Sequence, residues 1–201
     1  MDDSDASFLL AGSELHSRAR WHCEPRRWSV TPLERAMRIE PDAPTDFWRK
    51  THYGFEADNG HFLGAEVDGD FTLTALVTYR PVHQYDQAGL MVRLSPTCWL
   101  KTSVEYELDE PGRLGVVVTN NGYSDWSTQD VAPGGGRIWL RVRRQANDYF
   151  VESSWDGSTW QQLRMTHLED AQSTAVMAGV YACSPKGAGF VAEFSGVTMT
   201  R

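Results

Sequence analysis

The chain has 201 residues, 41% of them hydrophobic and 11% aromatic, with a formal net charge of −8 and a pI near 5.2. That size favours one domain with a real core, and the acidic balance argues against a general nucleic-acid binder and against adhesion to anionic membranes. Cys23, Cys98 and Cys183 are too few and too scattered for a secreted disulfide framework or a CxxC site.

The chain starts acidic, and its first apolar patch, "FLLAG", is short. A signal peptide wants a basic start and a longer apolar stretch, and no run approaches the ~18 apolar residues of a membrane span. A soluble cytoplasmic protein is the simplest expectation. Residues 1–7 read as a disordered tail and 8–201 as a single domain. From Arg20 to Lys50, Pro25, Pro32, Pro41 and Pro44 leave room only for short strands and loops. Period-two alternation follows. Phe71, Leu73, Ala75, Val77 and Tyr79 share one side of "FTLTALVTYR". Ala88, Leu90, Val92 and Leu94 oppose Gln87, Gly89, Met91 and Arg93 in "QAGLMVRL". Leu100, Val104, Tyr106 and Leu108 oppose Trp99, Lys101, Ser103, Glu105 and Glu107 in "WLKTSVEYEL". "TNNGYSDWST", Thr119 to Thr128, reads as a connection, with a turn at Asn120-Asn121-Gly122. Ile138, Leu140 and Val142 oppose Arg137, Trp139, Arg141 and Arg143 in "RIWLRVRR". Asp156-Gly157 marks a hairpin, and "TAVMAGVYAC" and "AGFVAEFSGVTMT" close the series as strands. No segment keeps a helical period, so the expectation is an all-β jelly-roll sandwich of two antiparallel sheets with about a dozen short strands.

Candidate chemistry sits on the outward parity. Gln87, Trp99, Lys101, Glu105, Trp139 and Arg141 are outward by alternation, and a meander of 87–94, 99–108 and 114–119 puts Gln87, Lys101 and Glu105 on one outer face. Lys101 and Glu105 are about 13 Å apart along one strand, so a third group or a ligand must stand between them. A solvated strand face with scattered ion pairs is the plain alternative. Glu105 and Glu107, about 6–7 Å apart, are a poor match to the carboxylate pair of a glycosidase. The six histidines show no HxxxH or HxH spacing, and His52 stands out only for its aromatic surroundings. Cys98 has inward parity and reads as an inert thiol. The arginines of "RIWLRVRR" read as an outer face balanced by nearby acids. Asp125 is expected to cap its own loop. Trp126 either folds over the sheet toward Lys101 and Glu105 or closes the core between the sheets.

Several stretches together resemble a known family: "TDFWRKTHYGF" (45–55), "DNGHFL" (58–63), "YDQAGLMVRL" (85–94), "WLKTSVEYE" (99–107), "VVTNNGYSDWS" (117–127) and "SWDGSTWQQLR" (154–164). From about Trp21 to the C-terminus the chain is similar to the uncharacterised domains typified by the regulation of enolase protein, with a concanavalin A-like lectin/glucanase fold. The resemblance implies a twisted jelly-roll with a concave front face. It implies recurring polar positions at His52, Gln87, Lys101, Glu105, Asp125 and Trp126, none of them assigned to catalysis. The expected function is non-catalytic binding of a sugar or small phosphorylated metabolite on the concave sheet face. His52, Gln87, Trp99, Lys101, Glu105, Asp125, Trp126 and Arg141 are the expected ligand-binding residues, without metal or cofactor. Two alternatives stay open: an interaction module regulating a metabolic enzyme such as enolase, and a divergent glycoside hydrolase or lyase.

Overall fold

The computed structural model describes residues 8–12, 14–31, 33, 35–169 and 175–201, and the tail expected over 1–7 lies outside them. The strands in chain order are β1 Leu10–Ala11, β2 Glu14–Leu15, β3 Arg20–His22, β4 Arg27–Thr31, β5 Ala36–Glu40, β6 Phe47–Arg49, β7 Glu56–Asp58, β8 His61–Asp68 and β9 Phe71–Arg80. They continue as β10 Gln87–Ser95, β11 Cys98–Glu105, β12 Gly112–Asn120, β13 Tyr123–Val131, β14 Gly136–Gln145, β15 Asp148–Ser154, β16 Gln161–His167, β17 Ala175–Cys183 and β18 Val191–Thr200.

Two seven-stranded sheets face each other. The front sheet runs β13-β12-β11-β10-β17-β8-β3 and the back sheet β16-β15-β14-β9-β18-β5-β4. Large-sheet pairings such as β9 with β14 and β10 with β17 are antiparallel. The inward residues of both sheets, among them Leu73, Val77, Leu90, Leu100, Leu140 and Phe194, form one continuous core. The period-two faces expected for β9, β10 and β14 supply much of it. Full burial of such a side chain contributes roughly 1.5–3 kcal/mol, which is what fixes strand register.

A second apolar cluster lies on the other face of the front sheet: Phe47, Trp48, Phe62, Met91, Trp99, Val117, Tyr181 and Cys183. β6 and β7 make a separate two-stranded ribbon whose Phe47 and Trp48 sit on that face. Phe47 packs edge-on against Tyr181 at 6.2 Å and tilted against Trp99 at 6.1 Å. The front sheet is thus covered on both faces, and β10 and β11 are buried at nearly every position, outward parity included.

One expectation is corrected here, and one strand was not foreseen. "TNNGYSDWST" is mostly strand, not loop: β13 pairs along β12 from Asn120↔Tyr123 to Gly112↔Val131. Asn121 (φ 52°) and Gly122 (φ 77°) form a two-residue turn with both φ positive, which is why Asn-Gly stands there. β13 escapes the alternation test because it is an edge strand with mostly exposed, polar residues. Likewise β8, buried at its first five positions, reads as a continuous apolar run, not an alternating one.

Candidate functional site

The meander β10-β11-β12-β13 assembles the centre of the outer face. Register sets Gln87 opposite Glu105 and Met91 opposite Lys101, Lys101 opposite Val117, and Val117 opposite Trp126. The third group between Lys101 and Glu105 is Gln87. Lys101 Nζ donates to Gln87 Oε1 at 2.8 Å, to the Phe47 carbonyl at 2.8 Å and to Asp46 Oδ1 at 3.4 Å. Those bonds occupy all three ammonium donors. The same nitrogen stands 5.6 Å from the Tyr181 ring centroid and 6.0 Å from that of Trp99.

An ammonium can only donate, so the Gln87 oxygen must face Lys101. That oxygen also accepts the Tyr181 hydroxyl at 3.2 Å. The amide nitrogen therefore points the other way, donating to Glu105 Oε2 at 2.7 Å and to the Tyr85 carbonyl at 3.2 Å. Gln87 is locked in one orientation, with Lys101 on one side and Glu105 on the other. The ribbon sets Asp46: its Oδ1 accepts the Phe47 amide at 2.7 Å, and its own amide donates to Asn59 Oδ1 at 3.0 Å.

Above this network lies a cavity of about 300 Å³. Lys101, Glu105 and Val117 form its floor, with Asp46, Glu107 and Lys186 as further polar walls. Trp48, Tyr53, Phe55, Tyr85 and Trp126 supply aromatic surface. Burial pushes the Glu105 carboxyl up to about 8; Lys101 opposes that, while the Asp46 and Glu107 carboxylates add to it. At neutral pH Glu105 therefore holds its proton and can donate a hydrogen bond. Burial likewise holds the Tyr181 hydroxyl and the Cys183 thiol well above their ordinary ranges.

Of the eight expected ligand-binding residues, Gln87, Trp99, Lys101, Glu105 and Trp126 come together here. Trp99 is fully buried and serves as packing beneath Lys101. Trp126 is half-buried on the outer face, not between the sheets. His52 (φ 62°) is exposed in the β6–β7 turn and packs edge-on against Tyr53 with centroids 4.8 Å apart, one residue removed from the cavity wall. Two residues lie elsewhere. Arg141 belongs to β14 of the back sheet, where it stacks on Trp160 at 3.9 Å and pairs with Glu152 at 2.8 Å. Parity gives a face but not a sheet. Asp125 has the opposite parity to Trp126 and pairs with Arg164 of β16 at 2.9 Å across the sandwich edge, so it does not cap its own loop.

Sequence reasoning missed Asp46, Trp48, Tyr53, Phe55, Tyr85 and Lys186. They sit on the ribbon and in loops, where no periodicity operates. The available signal was the aromatic density of "TDFWRKTHYGF".

A family model described as a protein of unknown function (DUF1349) matches residues 21–201. A curated relative, "Regulation of enolase protein 1" of Saccharomyces cerevisiae, is 36% identical over 184 residues, 92% of this chain and 90% of that protein. The crystal structure of a functionally unknown protein from Saccharomyces cerevisiae superposes with a TM-score of 0.83 at 35% identity, covering 92% of this chain and 96% of that one. A mutant of the GH43 protein BlXynB from Bacillus licheniformis shares the fold over 98% of this chain and 39% of its own, with a TM-score of 0.73 at 18% identity. On the family match and the close relative together, the chain belongs to the DUF1349 family.

Proposed function

We propose that the outer-face cavity binds a neutral sugar without turning it over. The observation that carries this is the pairing of five aromatic side chains with a polar floor already saturated by its own network. Aromatic faces suit the apolar faces of a sugar ring, and a few fixed polar groups orient its hydroxyls. A phosphorylated ligand fits less well. Phosphate sites offer cationic forks or free ammonium groups. Here Lys101 is fully engaged, Lys186 is the one other cation of the lining and lies over the Tyr85 ring, and the Asp46 and Glu107 carboxylates line the same space.

The test is titration calorimetry with neutral mono- and disaccharides beside sugar phosphates, on the wild type and on Trp126→Ala. The expected result is binding of at least one neutral sugar that Trp126→Ala weakens by about tenfold or more. Binding of the phosphates alone, or of nothing at millimolar ligand, ends the reading. Product formation from an oligosaccharide, lost in Glu105→Gln, would replace it with the hydrolase reading.

The name of the yeast relative favours a second reading, an interaction module for a metabolic enzyme. Tyr53, Phe55 and Tyr123 are exposed around the ribbon and would form its contact surface. Sedimentation of this protein mixed with purified enolase tests it; independent boundaries at tens of micromolar dispose of it.

A further inference from the structure

Beside the cavity lies a second, wider groove of about 620 Å³, between the ribbon and the loop after β17. The two share Asp46, Phe55, Tyr85 and Lys186 as common walls, so they lie side by side, as the two halves of a candidate trough. Tyr85 stands at the junction, and its backbone is unusual. Its φ is 73°, in the left-handed region that an aromatic residue seldom enters. Such strain survives only where the surroundings over-determine it, and it concentrates at ligand sites.

The surroundings here do over-determine it. The buried Asp86 carboxylate accepts the amides of Val82 and His83, both at 2.8 Å, and the Asp86 amide closes the turn onto the His83 carbonyl at 3.1 Å. The Tyr85 amide donates to the Tyr106 carbonyl at 2.7 Å. The Tyr85 carbonyl accepts from Gln87, which ties the turn to the Lys101–Gln87–Glu105 network. Five hydrogen bonds, two of them to a buried carboxylate, therefore fix the backbone that sets one half-exposed ring between two compartments. Lys186 covers it, its Nζ 5.4 Å from the ring centroid, and makes no ion pair among the described residues.

The acids of the second groove have partners. Asp58 is held by both nitrogens of Arg93 at 2.8 Å, and Glu56 pairs with Arg49 at 2.7 Å. Neither is a free anion, and Lys186 is the single cation of the lining, too little for an anion-binding cluster, so the groove suits the same hydroxyl-rich chemistry as the cavity.

We infer that the trough takes a chain of at least two sugar units, one in the cavity and the next in the groove, with the Tyr85 ring seated at the link between them. This rests on the sugar-binding reading. A ring carried on a fixed backbone adds contact for a second unit at a reduced entropic penalty, because the turn beneath it is already ordered.

The experiment is calorimetric titration with gluco- and xylo-oligosaccharides of one to four units, on the wild type, Tyr85→Asn and Lys186→Ala. Asparagine tolerates the left-handed backbone, so Tyr85→Asn removes the ring while preserving the turn. The wild type is expected to bind the disaccharide about tenfold tighter than the matching monosaccharide, equivalent to ~1.4 kcal/mol. Tyr85→Asn is expected to erase that gain, so that disaccharide and monosaccharide bind within about twofold of each other, with Lys186→Ala giving a partial loss. A wild type that binds monosaccharide and disaccharide equally overturns the two-unit trough but leaves sugar binding standing. A chain-length gain that survives in Tyr85→Asn overturns the role of the ring. No binding by any sugar removes both readings together.

Discussion

Glu105 is the residue where environment most changes chemistry. Its carboxyl titrates near 8 in the folded chain, against about 4.3 in an unfolded one. The folded state therefore holds a proton that the unfolded state has lost. The resulting stabilisation is complete below about pH 4.3 and disappears as pH rises through that window to about 8. Glu105→Gln is neutral at every pH, so its melting temperature should fall less than that of the wild type between about pH 5 and pH 9. A fall as large as the wild type's would mean that Glu105 is ionised throughout. Lys101 makes the complementary case. Lys101→Met leaves the Phe47 carbonyl and one Gln87 acceptor short of a partner in a buried site. The expected loss is about 2–4 kcal/mol in urea unfolding, and a loss below 1 kcal/mol would show that water replaces the ammonium freely.

Single strands carry different lessons. The β12–β13 turn needs positive φ at Gly122, where an added Cβ would meet only Thr97 at ordinary contact distance. Gly122→Ala should therefore lose about 1–2 kcal/mol from backbone strain alone, read as a lower urea midpoint with unchanged slope. Gly89 differs: a Cβ there would lie 1.8 Å from the Thr102 carbonyl oxygen, so Gly89→Ala should give no soluble, folded protein. The strands whose two faces meet different surroundings were legible in the sequence. β9 and β14 alternate because one face enters the core and the other meets solvent or ion pairs. Gln87, Lys101 and Glu105 were grouped correctly because all three lie on neighbouring strands of one meander. β8 and β13 were not legible, since the first is buried on both faces and the second is an edge strand with mostly exposed, polar residues. The ribbon residues Asp46 and Trp48 were out of reach for another reason. Their place follows from a fold-back of the chain onto the sheet, which leaves no periodic trace.

Across the whole molecule, the two edges of the sandwich are closed differently: Trp21 of β3 meets Trp28 of β4 at 5.6 Å between centroids, whereas β13 and β16 are tied by polar contacts. Asp125 of β13 meets Arg164 of β16, and the Asn120 side chain donates to the His167 carbonyl at 2.8 Å. Asp125 is mostly exposed, so a double-mutant cycle on Asp125→Ala and Arg164→Ala should give a coupling below about 1 kcal/mol that shrinks further in salt. A larger value would mark the clasp as a real fastening of the sandwich. The β6–β7 ribbon has a broader consequence. It rests on the sheet through Phe47 and Trp48, the Lys101 bond, the Arg93–Asp58 pair and a bond from the Arg49 amide to Ser124 Oγ at 2.9 Å, yet it belongs to neither large sheet. Its tip, from Lys50 to Phe55, brings Tyr53 and Phe55 to the trough without supporting the core between the sheets. Two proteins could thus share this sandwich residue for residue and still differ in the walls of that trough, by exchanging the short tip between β6 and β7. The tip is where a designer should cut to give the scaffold a new taste.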